Sequence, residues 1–454
     1  MRPPGLQSVF LFRLLCDPAM PSNRPRRNSN RPRRPNASDD QPHAAKPAVN
    51  QPICPPSNSR LASVYLSKPT SHPTVYRKRI KQVIGKPEVG DWVSLYHQEL
   101  DDQEPKLFAY GLFNPKSEIA VRVVRFSDQL PDDAFIDQLL DRAIQLRVET
   151  LRLHDVTDSY RLIHAEADGL PGLVVDRYGD CLSAEIFGIA MAQRAEAILG
   201  RLQAKLDTQH WLIQPSPYLQ SQEGFTTAPR NSSGLPPQVT ITEHGTKFRV
   251  HFGTGHKTGF FCDQRDNRLK LAEYCRGGRS VLDVCCYTGG FAVQAAKLGG
   301  ATDVTGIDLD EEPLVTAKQN AALNDVKIKF TQADAFAYMR DMLRAGKQYD
   351  VVVLDPPKLI RNRTEIEEGS RKHFDLNRLA MQIVKPGGLM LTCSCAGLLP
   401  ESEFMRIVRS ACRSAFAENP RNMQILSKAG AAACHPVSAN CPETEYLKAM
   451  WIRL

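Results

Sequence analysis

At 454 residues the chain exceeds what one compact core holds, which predicts two or three domains. Its formal charge of +8 is uneven: nine Lys or Arg against three Asp between Met1 and Ser59 give +6, leaving +2 for the rest. The near-neutral body rules out an argument for nucleic-acid binding from bulk charge, and the lack of a helix-sized apolar run argues against a membrane protein. Twelve cysteines without recurring CxxC pairs speak against a disulfide framework and a zinc site, so a reducing cytoplasm is expected and no metal.

Residues 1–58 are rich in Pro, Asn, Ser and Arg, with the run Arg24–Arg34. They read as a disordered basic tail that holds phosphates loosely, as a plain solvated tail, or as a reading frame opened ahead of a true start at Met20. The apolar stretch Val9–Cys16, broken by Arg13, is a poor secretory signal. From 59 to 133 short alternating strands are expected, among them Ala109–Phe113 and Ile119–Val124, with Gly90-Asp91 and Gly111 as turn punctuation. This predicts a small β-barrel.

A central unit at 134–253 reads as a β-β-α-β-β layer: a hairpin about Tyr178-Gly179, a helix from Ala190 to Leu206, then strands near Trp211–Pro215 and Lys247–Phe252. Arg161, Glu166 and Asp168 are read there as salt-bridge residues rather than catalytic ones. From 254 to the end strands and helices alternate, with strands at Ser280–Val284, Asp303–Ile307, Lys327–Phe330, Val351–Asp355 and Leu389–Cys393, and a helix at Glu311–Asn324. The fold class is α/β, a doubly wound sheet whose ligands bind beyond the carboxyl ends of its strands.

The first of these strands runs into Asp283, then Tyr287-Thr288-Gly289-Gly290, where paired glycines let backbone approach a ligand closely. GxGxxG is absent, which argues against NAD. Asp308 after the second strand is placed for ribose hydroxyls, Asp334 after the third for an adenine amino group, and Asp283 for an ammonium. Three acids about a glycine turn suit S-adenosylmethionine, a sulfonium cation. Each acid also has a plain reading as a turn or helix cap. Gln264 and Arg265, in the aromatic and basic segment His256–Arg268, are further candidates, for covering the cofactor, for gripping RNA or for packing a helix start.

Asp355-Pro356-Pro357-Lys358 and Ser394-Cys395 each follow a buried strand. Methylating cytosine at C5 requires a thiolate to add at C6 and a hydrogen-bonding group to hold the protonated ring nitrogen. Cys395 is the expected nucleophile and Asp355 that partner. Cys393 is the rival thiol. A guanine N-methyltransferase needs no thiol, and an inactive ribosome-assembly RNA-binding protein needs neither group; both remain alternatives.

Together, His256–Arg268, Tyr287–Phe291, Asp355–Lys358, Ser394-Cys395, Cys434–Val437 and Asp158–Ile163 resemble the bacterial 23S ribosomal RNA cytosine-5 methyltransferases with an N-terminal PUA domain. The resemblance runs from about Leu61 to the carboxyl terminus and leaves the tail outside. It implies a PUA-like barrel, the family's β-β-α-β-β domain and a Rossmann-type methyltransferase domain, with Cys395 as nucleophile and Asp283, Asp308 and Asp334 about S-adenosylmethionine. It further implies large-subunit ribosomal RNA as partner; a homodimer is a second assembly to consider. Two positions depart from the pattern: Cys393 stands where relatives carry an aromatic, and Lys358 where other RNA cytosine-5 methyltransferases keep a second cysteine.

Overall fold

The computed structural model describes residues 50–98, 104–217, 219–252 and 259–454. The Arg24–Arg34 run, Val9–Cys16, Met20 and the His256–Thr258 part of the aromatic and basic segment therefore lie outside the described residues. Among the described residues no helix is long and apolar enough to cross a membrane.

The amino-terminal sheet contains β1 (Ala62–Leu66), β2 (Thr74–Tyr76), β3 (Ile80–Ile84), β4 (Trp92–His97), β5 (Lys106–Phe113) and β6 (Ile119–Arg125), in the order β2-β6-β5-β4-β1-β3. Alternate side chains, Val64 and Leu66, Val93 and Leu95, Val121 and Val123, meet in one small core. Gly90 makes the expected turn at φ +95. Gly111 does not: it lies inside β5 at a register shift against β6, where a Cβ would come within 2.6 Å of Val121 and 2.7 Å of the Arg122 carbonyl. Close strand approach, not chain reversal, demands that glycine.

The tail also ends earlier than 58. Ile53 is buried in the core of the central unit, its carbonyl accepts from Trp92 Nε1 at 3.0 Å, and the Gln51 amide donates to Gln193 O at 2.9 Å. One apolar pair, Ile53-Cys54, suffices to anchor a proline-rich segment whose composition alone predicts disorder.

After α1 (Asp133–Gln145), capped by Asp132, come β7 (Ser159–His164), β8 (Leu173–Tyr178), β9 (Cys181–Ile186), α2 (Ile189–Leu206), β10 (His210–Pro215), α3 (Leu219–Glu223) and β11 (Arg230–Asn231). The sheet order is β11-β10-β9-β8-β7, with the hairpin turning at Gly179 and α2 crossing over to bring β10 parallel to β9. Arg161 pairs with Asp176 at 2.6 Å, Arg147 chelates Asp168 at 2.7 and 2.8 Å, and Glu166 faces Arg122 at 3.5 Å. The structural reading of that acidic and basic group therefore holds. Arg147 also donates to the Cys434 carbonyl at 2.8 Å, stitching this layer to the carboxyl-terminal segment.

The strand expected to complete the layer goes elsewhere. β12 (Gln238–Glu243) and β13 (Thr246–His251) form a two-stranded hairpin that lies on the last unit: Phe248 and Val250 pack with Val293 and Ala321, and the Lys247 and Arg249 amides donate to Asn324 and Asn320 at 2.9 and 2.8 Å. A period-two pattern predicts a strand but not its partner. Glu243, fully buried, chelates Arg268 at 2.7 Å through both oxygens. Removing one partner strands the other charge, so Glu243→Gln is expected to lower unfolding stability by about 3–5 kcal/mol in urea titrations.

The carboxyl-terminal sheet orders β14 (Ser280–Val284), β15 (Asp303–Asp308), β16 (Lys329–Gln332), β17 (Tyr349–Leu354), β18 (Val384–Ser394), β19 (Gln424–Ala429) and β20 (Lys448–Arg453) as β16-β15-β14-β17-β18-β20-β19. Neighbours are parallel through β18; β20 runs antiparallel to both β18 and β19. Helices α4 (Arg265–Tyr274), α5 (Gly290–Lys297), α6 (Glu311–Leu323), α7 (Ala335–Arg344), α8 (Ile366–Gln382) and α9 (Glu401–Ala415) connect and cover it. The third strand sits two residues later than its composition suggests, and β19 and β20 were not anticipated, although Ala449-Met450-Trp451-Ile452 is an apolar run of strand type.

Candidate active site

Order reverses about β14: β15 and β16 lie to one side, β17 and β18 to the other, so the carboxyl ends open a crevice there. Between β14 and α5 the chain adopts left-handed backbone at Cys285 (φ +62), Tyr287 (φ +50) and Gly289 (φ +77). Two non-glycine residues held in that region mark a loop kept in shape by its surroundings. Asp308 Oδ2 accepts from the Tyr287 amide at 2.8 Å and Asp308 Oδ1 from Asp310 at 3.1 Å. The Tyr287 ring meets Phe261 edge-on at 5.1 Å.

Gly289 has no room for a side chain: a Cβ would lie 3.0 Å from the Phe330 ring and 3.2 Å from Ala317. Gly289→Ala adds that contact to an unfavourable φ and is expected to cost about 1–2 kcal/mol of stability, measurable by denaturant unfolding, and to weaken cofactor binding.

Asp283 is fully buried at the end of β14. One oxygen accepts from the Ala292 amide at 3.0 Å; Oδ1 has no partner among the described residues. Burial pushes its carboxyl up to about 8, against the pull of the Ala292 amide, with Asp355 and Asp308 adding like charge. An orphaned, buried acid is what an incoming ammonium completes, so the chemistry of Asp283 is compatible with the amino-acid end of S-adenosylmethionine. Asp308, Asp355, Asp283 and Asp334 all bear on the Cys285 sulfur, which burial and these four acids keep protonated. The sequence-predicted acids thus come together. Their capping roles are real as well: exposed Asp334 caps α7 through Ala337 at 2.9 Å.

Asp355 and Cys395 lie one residue beyond the ends of β17 and β18, strands paired as Leu354 with Thr392. Both are half-buried. Gln264 donates to Asp355 Oδ2 at 2.9 Å and is itself held through Oε1 by Asn267 at 2.7 Å. Gln264 therefore serves the Asp355 carboxylate, whereas Asp308 holds the Tyr287 and Asp310 amides. Cys393 is fully buried behind these groups, its thiol raised well above the ordinary range by burial first and by Asp355 second.

Arg265 departs from its expected place. Its guanidinium is buried against Cys434 Sγ at 3.5 Å and Asp266 at 3.3 Å, in the seam with the central layer, where His435 also meets His164 edge-on at 5.2 Å. At this first residue of α4 burial works to lower the guanidinium, and Cys434 and Asp266 more than offset it. Cys434-His435 likewise belongs to this seam.

The family model for S-adenosylmethionine-dependent methyltransferases matches residues 215–434, and that for PUA-like domains matches residues 70–126. Ribosomal RNA large subunit methyltransferase I of Pseudoalteromonas atlantica is 35% identical over 385 residues, covering 84% of this chain and 94% of its own length. Its counterpart in Tolumonas auensis is 36% identical over 407 residues, covering 86% and 99%. Among solved structures, SMU.776 complexed with SAH superposes with a TM-score of 0.72 at 19% identity, over 86% of this chain and 100% of that one, which shows a shared fold. With a PUA-like sheet, a methyltransferase fold whose acids fit S-adenosylmethionine as cofactor, and relatives matched along nearly their whole length, the chain belongs to the ribosomal RNA large subunit methyltransferase I family.

Proposed function

We propose that the protein forms 5-methylcytidine in large-subunit ribosomal RNA through a covalent bond between Cys395 and cytosine C6. The observation that carries this reading is the half-buried Cys395 thiol beside Asp355, on adjacent strand ends of the same edge that bears the cofactor acids. When bound, S-adenosylmethionine supplies an electrophilic methyl group. Cys395 Sγ adds to C6, so that C5 becomes an enamine carbon able to accept that group. Asp355, oriented by Gln264, hydrogen-bonds the ring nitrogen that gains a proton during addition. Solvent water then takes the C5 proton, which expels the Cys395 thiolate, and the ring nitrogen gives back the proton it gained.

Cys393 is unsuited to the same task because burial holds its proton. The target base must be single-stranded or turned out of its stack to expose C6. The PUA-like sheet is the natural holder of neighbouring RNA. Relatives named for ribosomal RNA of the large subunit support that substrate class.

Ribosomal RNA incubated with the protein and methyl-labelled cofactor, then digested to nucleosides, tests the reading. Label is expected in 5-methylcytidine by mass spectrometry. Label in a methylguanosine, transferred equally well by Cys395→Ala, overturns it.

A further inference from the structure

The last strand of the sheet brings an unexpected group to the catalytic edge. β18 runs outward and ends at Ser394, whereas antiparallel β20 begins there, pairing Lys448 with Ser394. Lys448 is 5% exposed, and among the described residues its ammonium donates to two neutral acceptors, the Ala396 carbonyl next to Cys395 and the Tyr446 carbonyl at 2.7 Å. A buried lysine without a carboxylate in its hydrogen-bond shell is costly to keep charged.

We propose that Lys448 is the positioning residue that holds Cys395 as a thiolate, its buried ammonium pairing with the sulfur once the thiol proton has passed to solvent. The proposal deepens the covalent reading above and rests on it. The S–H bond breaks with its proton going to solvent water; the freed electron pair on sulfur, held opposite the Lys448 ammonium, forms the S–C6 bond. When the adduct collapses, the electron pair returns to sulfur and the ion pair is restored. No other reactant is needed.

The surroundings of both groups favour this assignment. Burial lowers Lys448 to about 8, and Cys395 is the foremost group opposing that fall, with Glu445 behind it and Lys358, from the loop after β17, working against it. Electrostatic coupling is reciprocal, so an ammonium that a thiolate stabilises must stabilise that thiolate equally. From α8, His373 faces the same spot, its Nε2 3.2 Å from Ser394 Oγ, but burial, then Lys448, depresses it to about 4 and it is neutral near pH 7. The protonated Cys393 thiol feels both Cys395 and Asp355, and Asp355 is a like charge to a thiolate. Lys448 is therefore the buried cation at the nucleophile, and exposed Lys358 is the second positive charge nearby.

The test reads Cys395 alone and needs no RNA. Alkylation of the full-length protein by iodoacetamide is followed against pH, with Cys395 modification quantified by peptide mass spectrometry. In the wild type the midpoint is expected at least one pH unit below the ~8.5 of an ordinary thiol. Lys448→Met is expected to raise it by a unit or more and slow alkylation at pH 7 about tenfold, whereas Lys448→Arg keeps the low midpoint. S-adenosylmethionine binding by calorimetry checks that each variant is folded. An unchanged midpoint in folded Lys448→Met overturns the proposal. So does a wild-type midpoint at or above ~8.5, which decides the matter even where the variant does not fold. A normal Lys448 result with no 5-methylcytidine in digested RNA would instead sink the covalent pyrimidine reading and leave the pair intact.

Discussion

Cys395→Ala is expected to abolish methyl transfer, reducing turnover by roughly 10⁴- to 10⁶-fold, the loss typical when a covalent nucleophile is deleted. The neighbouring thiol of Cys393 offers no substitute, because it is fully buried and burial holds its proton. With ribosomal RNA carrying 5-fluorocytidine, the wild type should form a covalent protein–RNA complex, since fluorine at C5 prevents proton loss and stops the adduct from collapsing. Mass spectrometry should find that complex in Cys393→Ala and not in Cys395→Ala. Trapping that follows Cys393 would transfer the nucleophile to the inner thiol and require the strand end to rearrange.

Asp283→Asn should separate binding from stability in opposite directions. An amide can still accept from the Ala292 N–H, but its NH₂ would face an incoming ammonium, and the loss of a buried charge partner predicts a roughly hundredfold or greater rise in the cofactor dissociation constant by calorimetry. Because the folded protein holds the Asp283 proton up to about 8 and the unfolded chain releases it near 3.8, the native state binds the extra proton between those values. Stability of the cofactor-free protein from this group consequently falls as pH rises through that window and levels off above 8. The asparagine variant lacks this loss, so at pH 8 without cofactor its Tm is expected to exceed the wild type's by roughly 3 °C or more. For the same reason, wild-type affinity for the cofactor should tighten as pH climbs from 6 to 8, and that slope should vanish in the variant. A wild type whose cofactor affinity does not change over that range would show that binding does not require Asp283 to give up a proton.

Much of this was legible because chemistry and strand ends coincide in the chain. Asp283, Asp308 and Asp355 each stand at or just beyond a strand-forming run and Asp334 two residues past another, and a parallel sheet collects such ends along one edge. The Tyr178-Gly179 hairpin was legible for a local reason, since a tight turn between alternating strands needs little context. Long-range choices were not. The strand at Thr246–His251 has the alternation of any half-buried strand, and only the three-dimensional fit of Phe248 and Val250 against α5 and α6 decides what it covers. Arg265 misled because adjacent residues at a helix start share a motif but not a direction. Lys448 was invisible for a similar reason: nothing in its neighbourhood along the chain reveals that an antiparallel strand will set it opposite Ser394.

The β12–β13 hairpin makes the catalytic half depend on a segment that precedes it. A fragment begun after Phe252 would leave the Arg268 guanidinium buried without its counter-ion, and would deprive Gln294 of Thr246 and the Glu243 carbonyl. Chimeras that exchange catalytic modules between related enzymes must therefore carry this ribbon across with the module, making a splice upstream of Gln238 the workable junction.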